Sequence, residues 1–494
     1  MVATMFSISE ESINKLERAA ELVFAIVLGA ICVSLFSDNV WRVFQSSDTA
    51  WLVKTGEYVL NHGLPATDLF SWTQPGKPWI LYQWFFEVCL GFFYKVGGLW
   101  LTGLVGLFVF SLIYFWLLPI SMATKGVKPV FIAGFLCLIV TPSWFWLRPQ
   151  LFSFLLIIVF LRILEDFRIN GLKRTLWLLP PLMILWANSH SFWFIGLILI
   201  LSYFVHNLSQ RSNKDRLTVL TIAALSAAAV FINPYAGEIL PYNFGFVSRP
   251  EIAAIKELHP ILLTEPLANL PLLLYFILTW SALIVGRLHV PSVGLWLSIS
   301  GTVAALCCYR FAPLGVLLTW PYLSLVLSSW KFTSRENTEA PCGKRGALVL
   351  TVAPIVVASL VCLATYNSVF PYNKTVWFTH QYSNQGAIEF LKEHPELVKQ
   401  MFCDDAAGCS MILENIGPVF IDTRFDFYGQ DFSNQYRQCL YAQHGWQKLF
   451  QSWGIKSACV RNNAPLCFEL KNSKQWKSLF DDGQYTVFVL VKTE

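Results

Sequence analysis

The chain has 494 residues, 55% of them hydrophobic and only 14% charged, against about 25% charged in an ordinary soluble domain. Its net charge of +5 is small for this length, and it shows no basic stripe, zinc-type cysteine spacing or aromatic RNA-binding motif, which excludes nucleic acid as a partner. A mean hydropathy of +0.51 points instead to a polytopic α-helical membrane protein.

The first 18 residues carry Glu10, Glu11 and Glu17, and no small-residue cleavage site follows Phe36. The first apolar run is therefore expected to be kept as a helix rather than removed as a signal peptide. Apolar runs near 19–36, 99–119, 129–147, 150–166, 174–188, 191–207, 217–233, 268–286, 290–309, 311–330 and 347–366 predict about eleven spans. Several are shorter than the ~20 residues an upright span prefers, so tilt is expected. Lys and Arg collect in every second connection, among them Lys125 and Lys128, Arg168 to Arg174, Arg211 to Arg216, Arg287, and Lys331 to Arg345. The positive-inside rule makes that side cytoplasmic. This register holds only if 80–97 does not cross. That aromatic stretch is expected to lie on the outer face as an amphipathic helix, with Trp84, Phe85, Phe92 and Phe93 dipping into the interface. The alternative is that it crosses and a later short run does not.

The composition changes after Tyr366. The expected division is a membrane domain over 1–370, with a large first outer loop at 37–98, and an extracytoplasmic α/β domain over 371–494. In the second, 385–400 reads as a helix, and 418–422, 457–460 and 485–491 read as strands. Helical stretches are expected near 431–453 and 473–480. Five of the twelve cysteines fall here: Cys403, Cys409, Cys439, Cys459 and Cys467. The pairs 403/409 and 459/467 could each close a small loop in an oxidising compartment, or all five could stay free.

The polar residues that could carry chemistry gather on the outer side. Asp48 and Asp68 lie in the first outer loop, followed by Glu87. Arg148 sits at a helix break, Asn188 and His190 in the next outer connection, and Arg310 before a late span. Glu257 and His259 are weaker candidates. Each has a plainer reading: Asp48 a helix cap, Asp68 a turn residue, the two arginines snorkelling anchors, and His190 a hydrogen-bonded helix end.

The order of motifs carries a resemblance. Asp48-Thr-Ala-Trp51, Thr55-Gly-Glu57, Gly63-Leu-Pro65-Ala-Thr-Asp68-Leu-Phe-Ser71, Trp79 and Glu87 stand in the first loop. They are followed by Arg148-Pro-Gln150, Asn188-Ser-His190, Asn233-Pro-Tyr235, Val419-Phe-Ile-Asp422-Thr-Arg424 and Tyr428-Gly429. In this the chain resembles the bacterial GT-C superfamily of polytopic glycosyltransferases, in its branch with a C-terminal extracytoplasmic domain. It departs from that pattern at Leu52, Ser191 and Thr423, where the branch carries His, Gly and Gly.

The resemblance implies a GT-C-like fold in a bacterial inner membrane. It implies inverting transfer of a hexosyl or pentosyl unit from a polyprenyl-phosphate donor to a lipid, glycan or protein acceptor on the outer face. Such chemistry needs a carboxylate near the acceptor and cations for the leaving phosphate. Asp48 and Asp68 are the expected catalytic carboxylates, Arg148 and Arg310 the donor-phosphate ligands, and His190, Asn188 and Glu87 their supports. A divalent cation can share the phosphate task. Two other classes remain open at this point: a lipid or solute transporter, and a non-catalytic envelope assembly protein.

Overall fold

A computed structural model describes residues 47–113, 146–210, 213–245, 258–261, 269–329 and 384–491, with a few isolated positions between 133 and 141. The expected spans 19–36 and 347–366, most of 129–147, and Glu257 lie outside the described residues.

Helix α1, Asp48–His62, opens the described chain and packs against α2, Trp84–Ser111. Their crossing is unusually close. A Cβ on Gly56 would meet the Glu87 carbonyl oxygen at 1.8 Å, and one on Gly91 would meet the Gly56 carbonyl carbon at 2.4 Å. Glu87 is thereby held at the crossing. Helix α2 breaks at Gly97 and Gly98, the latter with φ +63°. The boundary expected between an interfacial stretch and the run at 99–119 is thus a glycine kink. Phe92 and Val96, before the kink, are exposed.

Helix α3, Pro149–Asn170, shows why Arg148 sits where it does. A residue before proline is pushed out of the helical region, and Arg148 is extended (φ −123°, ψ 162°). Proline then suits the first helical turn, and Gly171 ends the helix in a left-handed conformation (φ 66°). The expected span at 174–188 is interrupted instead. Pro180 and Pro181 start a separate nine-residue helix α4, Leu179–Ala187. Helices α5, Trp193–Gln210, and α6, Asn213–Ala229, follow, then a short α7, Ile239–Gly245. Helices α8, Leu270–Val285, and α9, Ser292–Cys307, lead to α10, Ala312–Ser329, which packs along α9.

Among the described residues one helix, Tyr309–Ser329, is long and apolar enough to cross a membrane. The described helices therefore do not show eleven spans. Helices α8 and α9 have 16 residues each, about 24 Å of rise, short of a ~30 Å hydrocarbon core.

The C-terminal unit packs helices on a four-stranded sheet of order β1-β2-β4-β3. The strands are β1, Met401–Cys403, β2, Ser457–Arg461, β3, Trp476–Asp481, and β4, Tyr485–Leu490. β1 runs parallel to β2, and the other pairings are antiparallel. The surrounding helices are α11, Gln385–Glu393, α12, Asp405–Leu413, α13, Gln430–Leu440, α14, Trp446–Ser452, and α15, Pro465–Asn472.

Three expectations are corrected. The stretch 473–480 supplies strand β3, not a helix, because β4 offers it an edge to pair with. The stretch 431–453 is two helices, separated by Gly445 at φ +90°. The apolar run 418–422 joins no sheet. Its Val419 bridges Ser71 of the first loop, with Val419 N–H donating to the Phe70 carbonyl at 2.8 Å and Trp72 N–H to the Val419 carbonyl at 3.0 Å. All five C-terminal cysteines are free and buried.

Candidate active site

Asp48 is the first residue of α1, but it does not cap it. No side chain caps that helix start. The carboxylate turns outward instead. Its Oδ2 meets Arg148 Nε at 2.9 Å, and its Oδ1 accepts from the Thr423 hydroxyl. Trp51, one turn further along α1, donates its indole N–H to the same Thr423 oxygen at 3.1 Å. Arg148 also lies over the Trp146 ring, 4.4 Å from its centroid. Two distant parts of the chain thus converge on one carboxylate.

Arg310 comes to the same region. Among the described residues no carboxylate pairs with it, and its Nε is buried without a hydrogen-bond partner. Its charge is felt by both Tyr82 and His190. The Tyr82 hydroxyl is pushed well above the ordinary phenol range by burial first and then by Asp426, with Arg310 opposing and Glu87 and Asp48 adding to the rise. Tyr82 thus lies within electrostatic reach of Asp48, Glu87, Arg310 and Asp426. Its ring lies 5.2 Å from that of Tyr242, whose hydroxyl donates to Asp426 at 3.0 Å.

His190 is buried beneath this region. Its Nδ1 is 2.8 Å from Ser153 Oγ, and that oxygen already accepts from the Trp186 indole. Burial first, then the Arg310 charge, lower the imidazole to about 3. His190 is therefore neutral at physiological pH and contributes a dipole rather than a charge. Asn188 is fully occupied. Its amide oxygen accepts from Trp84 Nε1 at 2.7 Å, and its nitrogen donates to the Ile184 and Ile232 carbonyls. It ties the start of α2 to the α4 and α6 ends.

Glu87 is buried, takes one hydrogen bond from Gln83 at 3.0 Å, and among the described residues leaves Oε2 without a partner. Burial raises it from 4.5 to about 8. Its contribution to stability is then complete below pH 4.5 and is lost as pH rises through about 8. Thermal melts of the purified protein should show the melting temperature falling across that window. Glu87→Gln, neutral at every pH, is expected to flatten the fall. An unchanged slope would mean the carboxyl is ionised in the fold.

Asp68 faces the C-terminal unit. Phe70 N–H and Ser71 N–H and Oγ–H donate to it, as a turn-forming aspartate. Arg424 Nη2 reaches its Oδ1 at 2.8 Å. Arg424 also forks onto Asp422, through Nε at 2.9 Å and Nη2 at 2.6 Å. The guanidinium is enclosed by the rings of Trp51, Phe70, Trp79, Phe427 and Tyr428, at 4.5 to 5.9 Å from their centroids. The first loop and the C-terminal unit are locked together around it.

No family model and no curated protein matches the chain. Among solved structures it is similar to the oligosaccharyltransferase AglB of Archaeoglobus fulgidus, in complex with an inhibitory peptide and a dolichol-phosphate. The TM-score is 0.55 at 12% identity, over 96% of this chain and 74% of that one. A second match is an Archaeoglobus fulgidus oligosaccharyltransferase in the apo form, with a TM-score of 0.54 at 13% identity, over 90% of this chain and 69% of the other. The chain shares the fold of these two structures at low sequence identity, which supports the GT-C-like fold expected from the motif order.

Among the described residues Asp48 and Asp68 do not build a divalent-cation site. No group of three or more potential ligands clusters among the described residues. Asp48 is already neutralised by Arg148, and Asp68 by Arg424. Asp48 and Arg148 meet directly, Tyr82 feels the charges of Asp48, Glu87 and Arg310, and His190 that of Arg310, while Asp68 is held in the Arg424 clamp. Tyr82, Asp426 and Thr423 were missed in the sequence. Tyr82 is one aromatic among many, and Thr423 stands where the resembled branch has a glycine.

Proposed function

We propose that the protein is a membrane glycosyltransferase that moves a sugar from a polyprenyl-phosphate donor to an acceptor hydroxyl. The observation that carries this reading is Arg310, a guanidinium with no carboxylate partner among the described residues and a buried Nε without a hydrogen bond there, within electrostatic reach of Tyr82 as Asp48 is, on a fold similar to that of an oligosaccharyltransferase solved with a dolichol-phosphate. Arg310 holds the donor phosphate by charge-assisted hydrogen bonds. Asp48 accepts the proton of the acceptor hydroxyl as its oxygen attacks the sugar C1. The C1–O bond to phosphate breaks, the new glycosidic bond forms with inversion, and polyprenyl phosphate leaves as the anion. Arg148 orients Asp48 through its contact with Oδ2. Asp68 belongs to the Arg424 clamp rather than to the chemistry.

The exposed apolar side chains of α8 and α9, among them Ile277, Ile284, Val285 and Trp296, support burial in lipid. We place the protein in a bacterial inner membrane with the C-terminal unit outside.

The test is lipid-linked glycan profiling of a strain lacking the protein, complemented with wild type or Asp48→Asn. Wild type should restore a missing glycan and Asp48→Asn should not. A transporter or scaffold would be restored by both. Arg310→Gln removes one charged phosphate partner, about 1.5–3 kcal/mol. It is expected to raise the KM for the polyprenyl-phosphate donor about 10- to 100-fold, measured by donor titration.

A further inference from the structure

We infer that Thr423 is a positioning residue for Asp48, so that the C-terminal domain supplies part of the active site rather than only covering it. The inference rests on the glycosyl-transfer reading for the role of Asp48. The contact itself stands independently of that reading.

A threonine hydroxyl has one proton and two acceptor positions. The Trp51 indole can only donate, and it donates to Thr423 Oγ1 at 3.1 Å. An ionised carboxylate can only accept, and Asp48 Oδ1 is bonded to the same hydroxyl. The proton of Thr423 is thereby aimed at Asp48, and the chain Trp51 to Thr423 to Asp48 is polarised in one direction. The thiol of Cys409, 3.5 Å from Thr423 Oγ1, is a weak partner on the remaining side.

The Thr423 backbone is also immobilised. Its neighbours Asp422 and Arg424 are buried, and Arg424 N–H donates to Asp422 Oδ1 at 2.9 Å across it. The hydroxyl is thus presented by the rigid clamp already described. With Oδ1 fixed from the C-terminal domain and Oδ2 fixed by Arg148, the plane of the Asp48 carboxylate is set from two sides. The remaining lone pairs are left for an acceptor hydroxyl. A glycine at 423 would leave Oδ1 without this donor.

The experiment compares Thr423→Val, Thr423→Ser and Thr73→Val in the purified full chain. Thr73 also bonds across the domain junction, to the Phe420 carbonyl at 2.7 Å, but it does not touch Asp48. The first readout needs no substrate: carbodiimide-driven coupling of glycine ethyl ester at Asp48, followed by peptide mass spectrometry. Thr423→Val should raise labelling of Asp48, because Oδ1 loses the hydroxyl that occupies it. Thr423→Ser and Thr73→Val should label like wild type.

The second readout is transfer from undecaprenyl-phosphoryl glucose, mannose, galactose or arabinose, tested singly. Thr423→Val should lower turnover about tenfold or more with the donor KM unchanged, and Thr423→Ser should restore it. Equal effects of Thr423→Val and Thr73→Val, or wild-type labelling in Thr423→Val, would overturn the inference. If Asp48→Asn keeps transferring sugar, the glycosyl-transfer reading fails, while the labelling still decides the Thr423 contact. Should Thr423→Val not fold, Trp51→Phe takes its place and should raise labelling in the same direction.

Discussion

Asp48→Asn is expected to lower sugar transfer about a thousandfold while expression and melting temperature stay near wild type. The size follows from what a positioned base contributes, about 10²–10⁴ in rate. The amide keeps the shape of the side chain, and its oxygen can still accept from Thr423. It cannot take a proton from the attacking hydroxyl. The fold should survive because Arg148, though it loses its counter-ion, is half-buried and remains stacked on Trp146. Asp48→Glu should be nearly as damaging, since one added methylene moves the carboxylate off the two donors that aim it. Initial rates with a polyprenyl-phosphate sugar and melts of the same preparations measure both halves. Wild-type rates in Asp48→Asn would remove the carboxylate from the mechanism.

Much of this site was legible in the sequence because its charged members stand at the ends of apolar runs. Asp48, Arg148 and Arg310 could be picked out that way, and proline after Arg148 already implied the extended residue that the structure has. The boundary expected between 80–97 and 99–119 likewise falls at the kink of Gly97 and Gly98. What could not be read were contacts made across the chain. Asp422 and Arg424 are two residues apart, and their pairing is a local signal. The reach of Arg424 to Asp68 spans 356 residues and leaves no local trace. Thr423 has the same difficulty, and only its place in a pattern that usually holds glycine set it apart. Periodicity misled at Trp476–Asp481, where apolar residues at 476, 479 and 480 fall at helical spacing. The free edge of β4 outweighed that preference, as tertiary pairing does for short segments.

Arg424→Gln is expected to be the most damaging single change to stability outside the helical core, costing about 3–5 kcal/mol. That is the usual cost of removing one partner from a buried ion pair, because the other charge is left behind without compensation. Here two carboxylates are left behind. The side chains of Asp68 and Asp422 are both fully buried against Arg424. Asp422 would keep only the backbone N–H of residue 424 and the Tyr428 hydroxyl, and Asp68 only its own turn. Arg424→Lys should rescue little. An ammonium cannot bridge two carboxylates as a planar fork does, nor lie against five rings at once. The rings come from both sides of the junction: Trp51, Phe70 and Trp79 from the first loop, Phe427 and Tyr428 from the C-terminal unit. Loss of the guanidinium should therefore loosen the junction before it unfolds either part. Limited proteolysis should release a C-terminal fragment from Arg424→Gln at temperatures where wild type stays intact. Asp68→Asn, which leaves the Asp422 fork in place, should show a smaller effect in the same direction. Because Asp48 takes one of its two anchors from the residue beside Arg424, transfer should fall in step with the released fraction. A variant that loses transfer with the junction still resistant to protease would instead give Arg424 a direct part in the chemistry.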